Sequence, residues 1–303
     1  MSNGKWSSHI NNICNSAYLR INVLRKVKYQ LSRATLSKIY TTFILPILEY
    51  ACELWDGCTL HDSDKIERVQ LDAARLVTGL PIYASRHSLY QETGWEPLAE
   101  RRKRRKLNTF YKIHNNQTPN YLNEIIEPFK LQGRNLRTNR DYYLPMFRLS
   151  STSKSFFPST VKLWNNLDQS IRQIPSFEQF KRHLANSKST EKLPDYYHCG
   201  DRKSDIFMTK LRHKCTELKA DLFRVNLIDD DMCNCGLGVE NSTHFLFHCP
   251  YYSTQRNILF NDLHHFQPLS LNKLLFGDQS LSIRENNLIF RNVHKFIAST
   301  KRF

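Results

Sequence analysis

Apolar residues recur along this chain at three- and four-residue steps, the signature of one helix face. His9, Ile13, Ala17, Arg20/Ile21 and Leu24 form the first such stripe, with Lys26, Lys28, Arg33 and Lys38 on the other side. Ser32 is a candidate N-cap for a second helix carrying Leu36, Ile39, Tyr40, Phe43 and Ile44 up to Pro46, which kinks the run or starts a new helix. Ile47, Leu48, Tyr50, Ala51 and Trp55 continue the apolar pattern. A third amphipathic helix is predicted over 64–80, stopped by Thr78-Gly79-Leu80-Pro81. The next carries Leu98, Leu107, Phe110, Tyr111 and Ile113, and a short one begins at Tyr121-Leu122.

From Leu131 to Ser153 the periodicity fails. It resumes with Val161, Leu163/Trp164 and Leu167, then with Phe177, Phe180 and Leu184 behind Ser176. Aromatics at this spacing read as core, so Phe156, Phe157 and Trp164 are expected to be structural. A basic helix over 206–222 turns Leu211, Cys215, Leu218 and Leu222 inward, and one over 251–263 meets the preceding segment through Ile258 and Leu259. Helices around Leu274-Leu275 and from Leu288 to Ile297 close the chain.

Charge changes the picture next. Forty-four Lys and Arg against 28 Asp and Glu leave a formal net charge of +16, a surplus that favours polyanionic partners, nucleic acid above all. The first residues contain no apolar core of a secretory signal, and the most apolar stretch, Phe43 to Trp55, is too short to span a bilayer. Reduced thiols in the nucleus or cytoplasm are therefore expected, without a membrane association.

Three of the eight cysteines cluster with a histidine: Cys233, Cys235, His244 and Cys249, spaced C-x-C-x8-H-x4-C within 17 residues. Thiolate and imidazole are the ligands that tetrahedral zinc prefers. The single residue between the first two cysteines makes a tight hook, for which Gly236 can supply a positive φ. Glu240 to Thr243 read as a polar loop leading into an aromatic, helix-like arm that carries His244, His248 and Cys249. His248 lies one helical turn from His244 and competes with it as the imidazole ligand. The plain alternative is three buried cysteines and a surface histidine.

Two further stretches bear on nucleic acid. Arg101, Arg102, Lys103, Arg104, Arg105 and Lys106 are six consecutive cations in a helix, so they wrap its circumference and at least one or two must face neighbouring protein. Phosphate contact is one reading of the run. Salt bridges to Glu96 and Glu100 are another, and a nuclear import signal a third. Arg134, Arg137 and Arg140 precede Tyr142, Tyr143 and Phe147, a basic and aromatic interleaving suited to a single strand, or to an irregular linker. No catalytic constellation emerges. Asp229-Asp230-Asp231 lacks the paired hydrophobic strands of a two-metal centre, and there is no phosphate-binding glycine loop.

Trp6, His9-Ile10, Ile39-Tyr40 with Phe43-Ile44-Leu45-Pro46, and Leu48-Glu49-Tyr50 with Trp55 begin an ordered series of short matches. Gln70, Ala73-Ala74-Arg75, Thr78-Gly79, Leu89-Tyr90 and Gly94-Trp95 continue it, followed by Pro119, Tyr121-Leu122, Ser155-Phe156-Phe157-Pro158, Trp164-Asn165, Leu211-Arg212 and the cysteine hook. In this order the chain resembles the C-terminal portion of a LINE-type, non-LTR retrotransposon reverse transcriptase polyprotein. The resemblance implies a mainly α protein: a helical thumb-like region over 1–128 and a basic, aromatic linker over 129–153. A mostly helical linker domain over 154–228, a CCHC zinc knuckle with its following helix over 229–265, and C-terminal helices over 266–303 complete it. It selects His244 as the fourth ligand, implies one structural Zn2+, and gives RNA, with DNA as a further partner. It also implies that the aspartate-bearing palm and the endonuclease are missing, as in a 5′-truncated copy, so that no polymerase activity is expected. A helical protein-interaction scaffold, or a fragment without function, are the alternatives.

Overall fold

The computed structural model describes residues 6–126, 128, 141–186, 194–198 and 200–303, which fold into a mainly helical protein. Among the described residues there is no sheet. Extended pairing is confined to two antiparallel bridges, Pro128 with Tyr142 and Met232 with Val239.

Helix α1 (Ser7–Val27) buries Ile10, Cys14, Ala17, Ile21 and Leu24, the expected helical stripe shifted by one residue at its start. Helix α2 (Arg33–Ile39) begins at Ser32, whose hydroxyl accepts from the Thr35 amide. A π-turn, Tyr40–Ile44, then leads into α3 (Leu45–Glu49), with Pro46 in its first turn where no amide is needed. The wider turn carries Tyr40, Ile44 and Leu48 inward and leaves Phe43, expected on the buried face, exposed. After α4 (Cys52–Trp55) come α5 (Leu60–Thr78), α6 (Arg86–Thr93) and α7 (Leu98–His114). The α7 N-terminus is capped from a distance, Leu98 N donating to Glu67 Oε2 at 3.0 Å. Shorter helices follow: α8 (Tyr121–Glu124), α9 (Ser150–Lys154), α10 (Phe156–Asn165), α11 (Gln169–Arg172) and α12 (Phe177–Asn186). The basic helix predicted over 206–222 is two helices, α13 (Arg202–Arg212) and α14 (Lys219–Arg224), because Lys214 takes a positive φ of 53° between them. The last three are α15 (Ser253–Asp262), α16 (Leu271–Phe276) and α17 (Ile283–Thr300).

The chain divides into two compact units, each assembled from three separate stretches rather than from consecutive blocks. Unit 1 takes Met1–Ile21, Thr41–Gln70 and Trp95–Glu191. One of its cores is aromatic: Phe110 and Tyr111 of α7, Trp164 of α10 and Phe180 of α12 are fully buried together, with Tyr111 stacked on Phe180 at 4.5 Å. The buried polar tips are satisfied, Trp164 Nε1 by Asp141 at 3.0 Å and Tyr111 Oη by the Ile174 carbonyl at 2.7 Å. Phe156 and Phe157 pack at its margin. The residues from Lys154 onward, expected to open a domain of their own, thus share a core with α7.

Unit 2 takes Asn22–Tyr40, Leu71–Gly94 and Lys192–Phe303. Its core runs along α17, whose Ile289, Phe290, Val293, Phe296 and Ile297 meet Leu211, Phe245, Leu259 and Leu274. A capping box between Ser282 and Glu285 starts that helix. Unit 2 also buries a polar cluster. Glu92 at the end of α6, 2% exposed, receives Arg33 of α2 at 2.8 Å, Arg212 of α13 at 2.9 Å and His213 Nε2 at 3.1 Å. Thr209 Oγ1 accepts from both guanidinium groups, and Arg212 lies 4.4 Å over the Tyr197 ring. Burial works to raise the Glu92 carboxyl, but Arg212, His213 and Arg33 outweigh it and hold it well below the usual carboxylate range.

Glu92→Gln leaves two buried guanidinium groups without a counter-charge and is expected to cost about 3–5 kcal/mol in urea unfolding. The folded pKa being depressed, the wild-type advantage is complete above the unfolded glutamate value of ~4.3. It fades only as pH falls from there through the folded value, so the gap between the two proteins should narrow in acid. A gap that stays constant below that pH would show that ionised Glu92 is not its source.

Candidate metal centre

The hook is built by short local hydrogen bonds. Met232 pairs with Val239, Cys233 N donates to the Gly238 carbonyl at 2.8 Å, and Gly236 N donates to the Cys233 carbonyl at 2.9 Å. Gly236 takes the expected positive φ, 74°, with open space where a Cβ would stand, so conformation rather than crowding calls for glycine there. The second half of the site is a single π-turn, His244–His248, started by Asn241, whose side-chain oxygen accepts from His244 N at 2.9 Å. Its closing bond, Cys249 N to the His244 carbonyl at 2.7 Å, brings Cys249 back beneath His244.

The four ligand atoms, Cys233 Sγ, Cys235 Sγ, Cys249 Sγ and a His244 ring nitrogen, lie within 4.8 Å of one another. Cys233 Sγ and Cys249 Sγ are 3.8 Å apart, and Cys235 Sγ and His244 Nε2 are 3.2 Å apart. Ligands ~2.0–2.3 Å from one tetrahedral ion stand roughly 3.4–3.8 Å from each other, so the cluster can hold a single metal ion. His248, the rival imidazole, is exposed and outside the cluster. Burial separates the two: His244 is buried beside the thiols and His248 faces solvent.

Electrostatics fit a cation. Burial pushes the Cys249 thiol up to about 12 and raises Cys233 as well. Burial also works to raise Cys235, but the Leu237 amide and the two neighbouring thiols outweigh it and bring that thiol below its ordinary value. Burial, with His248 and Arg256 nearby, lowers His244 and keeps its imidazole neutral, the form that ligates. Three sulfurs this close ionise together only beside a positive ion.

No family model, curated protein or solved structure matches this chain.

Residues outside the motif support the arm. Arg256 of α15 donates to the Leu246 carbonyl at 3.1 Å and to the Cys249 carbonyl, satisfying the open end of the π-turn. Glu240 binds Arg302 through both oxygens at 2.8 Å and accepts from Lys219 N at 3.0 Å. Neither was visible in the sequence, where Glu240 reads as part of a polar loop and Arg302 as a tail residue. The expected packing of α15 on the arm holds for Leu259 but not for Ile258, which is 59% exposed; Phe260 meets Phe247 at 5.8 Å instead.

The six-cation run lies on α7, and each member has an acidic partner. Arg101 binds Glu49, Arg102 binds Asp56 at 2.7 Å, and Lys103 binds Glu100 at 2.7 Å. Arg104 binds Glu96 at 2.5 Å, Arg105 reaches Glu49 at 3.3 Å and Glu53 at 3.4 Å, and Lys106 binds Asp56 at 2.5 Å. The two pairs named by the salt-bridge reading, with Glu96 and Glu100, are both present. Arg102 and Lys106 are the inward members, 2% and 5% exposed, and are not open to a phosphate. Arg134, Arg137 and Arg140 lie outside the described residues.

Cys235→Ser is expected to abolish metal binding and loosen the arm, read as loss of the bound ion by elemental analysis and as a lowered thermal midpoint. His248→Ala should retain the ion. The reverse pattern would move the imidazole ligand to His248.

Proposed function

We propose that this chain is a nucleic-acid-binding, zinc-stabilised helical portion of a LINE-type reverse transcriptase polyprotein, acting by holding RNA rather than by catalysis. The observation that carries the reading is the tetrad of Cys233, Cys235, His244 and Cys249, gathered by a C-x-C-x8-H-x4-C spacing into one cluster. A three-sulfur, one-nitrogen tetrahedral set suits Zn2+ over harder divalent ions, and four protein ligands leave no open position, so the ion's role is structural. The ordered motifs around it give the family, and the surplus of 16 positive charges gives the polyanionic partner. On α7, Lys103 and Arg105 are the half-exposed members of the run and are assigned to phosphate contact; the interleaved arginines Arg134, Arg137 and Arg140 are added on sequence pattern alone. The full pairing of that run favours a second reading, a helical scaffold for a protein partner.

Native mass spectrometry of the purified chain is expected to show one zinc, removed by chelator, and a complex with a short RNA. Affinity for that RNA should fall at least tenfold between 50 and 200 mM salt, because each phosphate contact releases counterions. A zinc-loaded chain that binds no RNA would overturn the nucleic-acid reading and leave the scaffold. An RNA affinity insensitive to salt would overturn phosphate contact as its basis.

A further inference from the structure

A second basic feature lies wholly within unit 2 and is assembled from three separate stretches of the sequence. The end of α1, the C-terminal turns of α5 and one side of α13 enclose an open cleft of about 430 Å³. Its floor is apolar, made by Leu76, Leu80 and Ile206. Gly79 allows the close approach that shapes it. Its φ is +76°, and a Cβ there would stand 2.5 Å from Ile206 Cγ1, so both conformation and space require glycine. The walls carry Arg25, Lys28, Arg75, Arg202 and Lys210 against one carboxylate, Asp72.

The pairing of these cations differs from that on α7. Arg75 is bound to Asp72 at 2.9 Å, and Lys210 to Glu217 at 2.5 Å. Arg25 has an amide oxygen, Asn22 Oδ1 at 2.8 Å, and Lys28 sits 4.8 Å from the Tyr29 ring centroid. Arg202 gives Nη2 to the Leu76 carbonyl at 2.7 Å and Nε to the Lys28 carbonyl at 3.4 Å, while its Nη1 is buried without an acceptor. Among the described residues, Arg25, Lys28 and Arg202 have no carboxylate at ion-pair distance. Burial, with Arg33 nearby, pulls the Arg202 guanidinium below its ordinary value, against the opposing charge of Asp205. At the mouth stands Tyr29, its side chain 69% exposed.

We infer that this cleft binds the phosphodiester backbone of single-stranded RNA, with Arg25 and Lys28 facing phosphate, Arg202 adding positive charge from the wall behind them, and Tyr29 stacking on an adjacent base. The inference rests on the nucleic-acid reading above and adds a site to it. The volume is that of a small-ligand pocket, so a strand enters it by one or two nucleotides and a duplex does not. Cations with an exposed aromatic ring are the recognition chemistry of single strands, phosphates meeting charge and a base meeting the ring. Asp72 and Glu217, already held by Arg75 and Lys210, add little repulsion.

The test is fluorescence anisotropy of the full zinc-loaded chain with a labelled 12-nucleotide oligouridine. Arg25→Glu with Lys28→Glu, both at the cleft rim, is expected to weaken binding at least tenfold. The slope of log affinity against log salt should drop by about 1.4, twice the ~0.7 per phosphate contact of a single strand. Tyr29→Ala should weaken binding about tenfold while leaving the slope unchanged. Lys181→Glu with Arg182→Glu, an equal charge change on the exposed face of α12, should shift affinity less than twofold. If wild type binds the RNA and the two double variants weaken it equally, or neither does, the cleft is overturned and the wider reading stands. If Tyr29→Ala is silent while the rim variant acts, base stacking is overturned. If wild type does not bind, the wider reading fails first. Unchanged circular dichroism and thermal midpoints confirm that the variants are folded, and Lys28→Glu alone repeats the test should the double variant not be.

Discussion

A guanidinium or ammonium group withdrawn from water must keep a carboxylate beside it, because the desolvation penalty is several kcal/mol per ion even after relaxation. With 44 such groups and only 28 acids, this chain cannot give every cation a carboxylate of its own, and its fold reflects where the acids are placed. In unit 1, Asp56 serves both inward cations of α7, Arg102 and Lys106, while Glu49 serves Arg101 and Arg105. In unit 2, Glu92 sits among Arg33, Arg212 and His213. One acid per buried pair of cations fixes helices distant in sequence to each other, since α2, α6 and α13 must all reach the same carboxylate.

The same accounting separates cations that hold the fold from those available to a ligand. The longest basic run in the sequence is the most thoroughly neutralised, because its neighbours Glu96 and Glu100 and the distant Glu49, Glu53 and Asp56 all converge on it. The cations around the Gly79 turn come from three separated segments and are only partly matched by acids. Linear density of charge and availability of charge are therefore different properties, and in this protein they fall on different surfaces.

The metal centre solves a third problem of the same kind. Three sulfurs and a ring nitrogen crowd into one cluster, where burial raises the Cys249 and Cys233 thiols, and the cluster can hold a cation that offsets their charge on ionisation. The site is then anchored at its edges by Arg256 on the arm carbonyls and by Arg302 on Glu240, so the end of the chain is tied to the hook.

The sequence by itself determined the helical class, the Ser32 cap, the stop at Gly79 and the gathering of the clustered cysteines, because each depends on residues close together along the chain. It was less successful where a wider turn altered the register. The π-turn before Pro46 turned Phe43 outward, and the positive φ at Lys214 split a predicted helix in two. Spacing left His244 and His248 in competition, and it is the tertiary structure that buries His244 among the cysteines and leaves His248 exposed. It also decided which cations are neutralised. The partners of Arg101 to Lys106 include acids some fifty positions away, and those around Glu92 come from helices up to 121 positions apart. Local periodicity reports which face of a helix is buried, but the charge that meets it is set by the long-range packing of other helices.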